Sequence, residues 1–208
     1  MSRERVTITI KEDILKALDK KIDGVKVRNR SHAVESLLSE SLGLYAIKDA
    51  IVMAGGDDAI KSIAAIKDSL MRLNRIGIEE VIVALGFLGD KIKKGLGDGK
   101  EFGLKIEYLE KGEGTGGALK LLQKALKKSF IVINLDGKLD LDYKMVIDFH
   151  KNTVALCTVA TNDIKSFKGV YILEPEVTKY LPEGFSMLEE DIFPKLHKES
   201  KLNIYPIF

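Results

Sequence analysis

The chain has 208 residues, 45% of them hydrophobic and 31% charged, an ordinary globular mixture with room for one medium-sized domain and a small one. No apolar run reaches membrane-spanning length and the N-terminus lacks the apolar core of a signal peptide, so a cytoplasmic protein without membrane contact is expected. One cysteine, Cys157, excludes an intrachain disulfide. The net charge of +2, with nine Lys/Arg against seven Asp/Glu in residues 1–45 and 24 against 24 beyond, is too small to establish an anionic partner by itself.

At the start of the chain, Arg5-Val6-Thr7-Ile8-Thr9-Ile10 alternates polar residues with β-branched apolar ones, a period of two that predicts a strand with one buried face. A lone strand leaves its backbone donors and acceptors unpaired, and no second strand follows nearby, so a strand from another copy is the economical partner. From Lys11 to Asp23, Ile14, Leu15, Leu18 and Ile22 recur at three- and four-residue spacings and predict a helix closed by Gly24. A second stripe, Ala33, Val34, Leu37, Leu38 and Leu42, follows the N-cap candidate Asn29 and precedes Gly43. A unit of about 45 residues with one strand buries too little surface alone, which predicts an intertwined homodimer sharing a two-stranded ribbon.

Residues 3–43 resemble the ribbon-helix-helix family of DNA-binding proteins. The matching features are Arg-Val-Thr-Ile-Thr-Ile, the Lys-Glu-Asp start of the first helix and Asn29-Arg30-Ser31-His32-Ala33. The resemblance implies that Arg5, Thr7 and Thr9 read base edges of double-stranded DNA, Arg through guanine O6 and N7, Thr through a hydrogen bond or the thymine methyl. It also implies that Asn29, Arg30 and Ser31 hold a phosphate at the second helix's N-terminus. His32 stands where relatives often carry Glu, so a reciprocal capping box is expected to be lost. Taken singly, the alternating Arg and Thr read as the solvated side of an edge strand, and Asn29 as a plain cap.

The linker Leu44-Tyr45-Ala46 has no Gly/Ser tract and separates residues 1–45 from 46–208. Beyond it the pattern changes to apolar strands at Ala50–Met53, Val81–Leu85, Leu104–Tyr108, Phe130–Asn134 and Ala155–Val159. Amphipathic helices are expected at Ile60–Ile76, Ala118–Lys128 and Tyr143–Lys151. This rhythm predicts an α/β, Rossmann-like, mostly parallel sheet that binds ligands at the carboxyl ends of its strands. Cys157, within the apolar run 154–159, reads as a buried thiol rather than a nucleophile. Three strand ends stand out. Ala54-Gly55-Gly56 would let a ligand approach the backbone, or would simply turn the chain. Gly112-Glu113-Gly114-Thr115-Gly116-Gly117-Ala118 again opens a helix. Asn134-Leu135-Asp136-Gly137 puts an Asp at the tip of a buried strand, as a ligand-binding carboxylate or as a turn cap.

In this order the three stretches resemble the sugar-phosphate nucleotidyltransferase family, which joins a nucleoside triphosphate to a sugar 1-phosphate. Gly77-Ile78-Glu79-Glu80-Val81, Phe102 to Tyr108, Gly169-Val170-Tyr171-Ile172 and Asp191-Ile192-Phe193-Pro194-Lys195-Leu196 are further anchors. The resemblance implies that Ala54, Gly55, Gly56, Gly114, Thr115, Gly116 and Gly117 contact base and ribose, and that Asp136 is the family's metal-binding Asp. It also marks departures. Gly56 is followed by Asp57-Asp58-Ala59 where the family carries an Arg and then a Lys that neutralise the triphosphate. Only residues 162–168 stand where relatives carry a long sugar-phosphate excursion, and the chain stops at Phe208, before the family's Trp-x-Asp segment. Because phosphoryl-type transfer rests on positioning and charge stabilisation, these departures imply lost catalysis, with no catalytic residue, metal or cofactor.

The combined expectation is a sequence-specific DNA-binding transcriptional regulator, a homodimer or tetramer. Its inactive body would bind a nucleotide or sugar-nucleotide effector, or set oligomer geometry. Two alternatives stay open: an active sugar-phosphate nucleotidyltransferase, and an assembly module that senses nothing.

Overall fold

The computed structural model describes residues 5–24, 27–41, 47–55, 59–86, 89–110, 112–135, 140–153, 155–161 and 167–207. The chain divides into two units, Met1–Ala46 and Ile47–Phe208.

In the N-terminal unit, α1 (Glu12–Asp19) and α2 (Arg30–Ser41) are short helices. After α1 the chain leaves the helix through tighter turns, with Lys21 N donating to Leu18 O and Ile22 N to Asp19 O, so the helix ends before the expected Asp23. Asn29 caps α2 by accepting from His32 N at 2.9 Å. His32 reaches back with Nδ1 to the Arg28 amide at 3.3 Å, which corrects the expected loss of a reciprocal cap: an imidazole nitrogen takes the role of the missing carboxylate, one residue earlier. Leu18 and Ala33 are buried, but Val6 and Ile8 are 72% and 55% exposed. Arg5–Ile10 does not form the expected strand. A strand exists by pairing, and among the described residues of this unit there is no strand for it to pair with.

The second unit is built on a seven-stranded sheet in the order β3-β2-β1-β4-β6-β5-β7. In chain order the strands are β1 (Asp49–Ala54), β2 (Glu80–Leu85), β3 (Lys105–Leu109), β4 (Phe130–Asn134), β5 (Cys157–Thr161), β6 (Val170–Leu173) and β7 (Leu202–Pro206). All neighbours are parallel except β6, which runs antiparallel to both β4 and β5. The mostly parallel α/β expectation therefore holds. β6 and β7 were not expected as strands.

The central strands are apolar on both faces, as a helix-covered parallel sheet requires. Ala50, Val52, Val81, Val83, Ile131 and Ile133 pack on one side with α3 (Ala59–Arg75), α4 (Gly89–Leu96) and α6 (Tyr143–Lys151). Ile51, Met53, Val132, Val159 and Tyr171 pack on the other with α5 (Gly114–Leu122), a π-helical turn (Leu188–Ile192) and α7 (Phe193–Lys198). Cys157 is fully buried on this second side, and burial pushes its thiol well up, as a structural rather than reactive cysteine requires. Asp142 caps α6 by accepting from Lys144 N at 2.9 Å, and Asp140 accepts from Arg72 at 2.9 Å. Among the described residues no helix is long and apolar enough to cross a membrane.

Candidate functional site

The register places Ala54 of β1 beside Leu85 of β2, and Met53 beside Asn134 of β4, so these strands end together at one edge of the sheet. At that edge Gly86, directly after β2, donates its amide to Ala54 O at 3.2 Å. A Cβ on Gly86 would stand 3.1 Å from the Gly55 Cα, so the missing side chain lets the two strand exits pass each other. Gly55 itself is exposed, and a Cβ added to it would meet nothing within 4 Å among the described residues. Ala54 is buried beneath it. Gly56 and Asp136 lie outside the described residues, as do Asp57 and Asp58.

The second glycine stretch is occupied by protein. Gly116 N donates to Ser186 O at 2.8 Å, Gly117 N donates to the same oxygen at 3.4 Å, and Ser186 N donates to Glu113 O at 3.1 Å. The free amides of the first turn of α5 are thus met by a backbone carbonyl from residue 186. Close approach is the reason for glycine here. A Cβ on Gly114, whose φ is +78°, would lie 2.4 Å from Ser186 O, and one on Gly116 would lie 2.3 Å from Ser186 Oγ. That hydroxyl is buried without a hydrogen-bond partner among the described residues.

One side chain ties this stretch to the sheet edge. Glu189, only 4% exposed, accepts from Thr115 Oγ1 at 2.7 Å, from Asn134 Nδ2 at 2.7 Å and from Tyr171 OH at 2.8 Å. Thr115 Oγ1 in turn accepts from Leu188 N at 2.8 Å. Burial, and then the Glu189 charge, push the Tyr171 phenol well up, so it stays a proton donor. Among the described residues the carboxylate meets three neutral donors, which answers part of the cost of burying it. Sequence reasoning missed Glu189, Ser186 and Gly86. Glu189 carried a signal nonetheless, since it follows the apolar Leu188 and stands two residues before the anchor Asp191-Ile192-Phe193-Pro194-Lys195-Leu196.

A second polar cluster lies at the other end of these strands. The buried His150 on α6 contacts Thr158 Oγ1 at 2.8 Å and Glu174 Oε1 at 3.0 Å, and Ser129 Oγ donates to the same Glu174 oxygen at 2.8 Å. The His150 hydrogen bond, with help from Ser129, holds the Glu174 carboxyl below the usual glutamate range. Among the described residues no group of three or more His, Cys, Asp or Glu side chains is placed to hold a metal ion.

In the N-terminal unit, Arg5, Thr7 and Thr9 are exposed, as is Ser31 on the first turn of α2. Arg30 is engaged: its guanidinium grips Asp19 of α1 through two bonds of 2.7 Å. The pair lowers the Asp19 pKa and raises that of Arg30, so the residue expected to hold a phosphate instead fastens the two helices.

The α/β architecture places residues 47–208 in a recognisable class. HddC from Yersinia pseudotuberculosis superposes with a TM-score of 0.60 at 19% identity, over 77% of this chain and 90% of its own. The inositol-1-phosphate CTP transferase of T. maritima does so with a TM-score of 0.56 at 13% identity, over 77% and 86%. Residues 47–208 share the fold of these proteins.

Similarity in sequence is narrower. No family model matches the chain. The UTP--glucose-1-phosphate uridylyltransferase of Synechocystis sp. is 26% identical over 184 residues, 65% of this chain and 47% of the relative. The D-glycero-alpha-D-manno-heptose 1-phosphate guanylyltransferase of Campylobacter jejuni is 29% identical over 145 residues, 63% of this chain and 64% of the relative. The chain thus spans about half to two thirds of the length of these curated relatives.

These names overturn the expectation of a DNA-binding transcriptional regulator with an inactive body. The relatives are named as sugar-phosphate nucleotidyltransferases, which points to an enzyme and gives double-stranded DNA no support as a partner.

Proposed function

We propose that this chain carries out nucleotidyl transfer. A phosphate oxygen of a sugar 1-phosphate attacks the α-phosphorus of a nucleoside triphosphate, the bond to the bridging oxygen breaks, and pyrophosphate leaves with the electron pair. The names of the relatives support this reading, and so does the geometry of the sheet edge. The observation that carries it is Gly55, just past the carboxyl end of β1, with no described residue within 4 Å of where a side chain would stand. In this reading Ala54, Gly55 and Gly56 form one wall for base and ribose, and the Gly114-Thr115-Gly116-Gly117 backbone forms the other. Asp136, two residues beyond Asn134 in sequence, supplies a ligand-binding carboxylate.

The test is pyrophosphate release by the full chain with Mg²⁺, from UTP or GTP paired in turn with glucose, mannose or manno-heptose 1-phosphate. The expected outcome is release matched mole for mole by a sugar nucleotide with one pairing. Absence of release with every pairing overturns the proposal.

For residues 5–41 we propose ribbon-helix-helix form, with the Arg5–Ile10 segments of two copies pairing as a dimerisation ribbon. The exposure of Val6 and Ile8 in the single chain supports it, since pairing would bury that face. Sedimentation equilibrium should return a dimer, and a monomer at micromolar concentration would remove the proposal.

A further inference from the structure

We propose that Glu189 is a positioning residue that sets the shape of the glycine-rich nucleotide loop by locking Thr115 against the end of β4. This inference rests on the nucleotidyl-transfer reading for its consequence, though not for its geometry. Three elements converge on one carboxylate: the first turn of α5 through Thr115, the carboxyl end of β4 through Asn134, and β6 through Tyr171.

The support beneath Glu189 is specific. It belongs to the π-helical turn Leu188–Ile192, a wider winding than the α-helix and one that often marks functional positions. Asp191 accepts from Met187 N at 2.8 Å and donates its own amide to Met187 O at 3.0 Å, closing the start of that turn. The next amide, Leu188 N, donates to Thr115 Oγ1, so the turn grips the threonine hydroxyl from two sides. The only proton of that hydroxyl goes to Glu189, and one of its two acceptor positions goes to Leu188.

Two consequences follow for the loop. Thr115 has no hydroxyl proton left to give a ligand, so residues 114–117 meet a nucleotide through backbone. The stretch is also tied to Asn134, which lies beside Met53 of β1, so the two glycine loops are referenced to the same sheet edge. A carboxylate suits this junction because it accepts from all three donors at once; a glutamine with its oxygen toward Asn134 and Tyr171 keeps two of these bonds and can donate to the second acceptor position of Thr115 Oγ1, so it is the conservative replacement.

The experiment compares Glu189→Ala, Glu189→Gln and Thr115→Val with the wild-type chain, by amide hydrogen exchange and by calorimetric titration with Mg²⁺-UTP and Mg²⁺-GTP. Exchange at Gly116 and Gly117 should rise about tenfold in Glu189→Ala and Thr115→Val, while Ile131–Ile133 of β4 keep wild-type protection. Nucleotide affinity should fall about tenfold in the same two variants, with Glu189→Gln recovering most of both effects. Thr115→Val removes the two hydroxyl bonds between loop and turn, to Glu189 and from Leu188 N, and leaves Asn134 and Tyr171 on the carboxylate, so it decides the matter where Glu189→Ala fails to fold. Unchanged loop exchange in folded Thr115→Val overturns the proposal. If the wild-type chain binds neither nucleotide, the transfer reading fails on its own, and loop exchange still judges Glu189.

Discussion

The two glycine stretches at the sheet edge use the same residue for opposite reasons. At Gly55 the absent side chain leaves an open approach, with nothing among the described residues within 4 Å of the position a Cβ would take. At Gly114 and Gly116 the vacated space is already filled by Ser186, whose carbonyl and hydroxyl stand 2.4 and 2.3 Å from the two Cβ positions. Among the described residues the side-chain space is open at Gly55, whereas at Gly114 and Gly116 the chain itself fills it. A glycine-rich signature therefore marks close approach without saying what approaches.

The sharpest way to break this contrast is Gly114→Ala. The φ of +78° costs any residue with a Cβ on the order of 1–2 kcal/mol, and forcing that atom against the Ser186 carbonyl adds an overpacking cost of about 1–3 kcal/mol. A loss of about 3 kcal/mol is expected, read as a lower urea midpoint at unchanged slope. A loss below about 1 kcal/mol would mean that residues 184–188 do not hold the start of α5 as described.

How much of this was legible in the sequence depends on whether the deciding partner was local. Tyr143–Lys151 forms the expected helix to the residue, with Asp142 as its cap, because periodicity and cap lie within ten positions of each other. β1 and β2 extend the expected apolar runs by one or two residues. α5 was expected to start at Ala118 but starts at Gly114, since glycine reads as loop and the carbonyl that completes the first turn comes from residue 186, far along the chain. Val170–Leu173 was quoted as a motif without being read as a strand; four residues give too little alternation to announce one. Glu189-Glu190-Asp191 looks like a solvated acidic run, yet the first of the three is buried and holds the loop.

The functional expectation failed for a related reason. Lost catalysis was inferred from three departures, the cations missing after Gly56, the short 162–168 segment and the missing Trp-x-Asp segment, but the charge balance of a site is a sum over groups brought from many positions, and motif-by-motif comparison does not give that sum. The alternation in Arg5–Ile10 was legible as well, but a period of two says only that a strand could form. The chain described here holds no partner for it among the described residues of that unit.

The gentler variant, Gly55→Ala, sharpens the contrast from the other side. Its φ lies outside the left-handed region and the added methyl meets no neighbour, so stability should stay within about 0.5 kcal/mol of wild type. Reduced freedom of the unfolded chain would even favour a small gain. The same methyl projects into the space through which a nucleotide would reach the backbone, so affinity for Mg²⁺-UTP or Mg²⁺-GTP should fall about tenfold, the effect of a modest misfit at a close contact. Calorimetric titration beside a urea melt separates the outcomes. Intact stability with weakened binding places the ligand over Gly55. Intact stability with unchanged binding removes the ligand from this edge, because among the described residues that methyl has nothing to collide with.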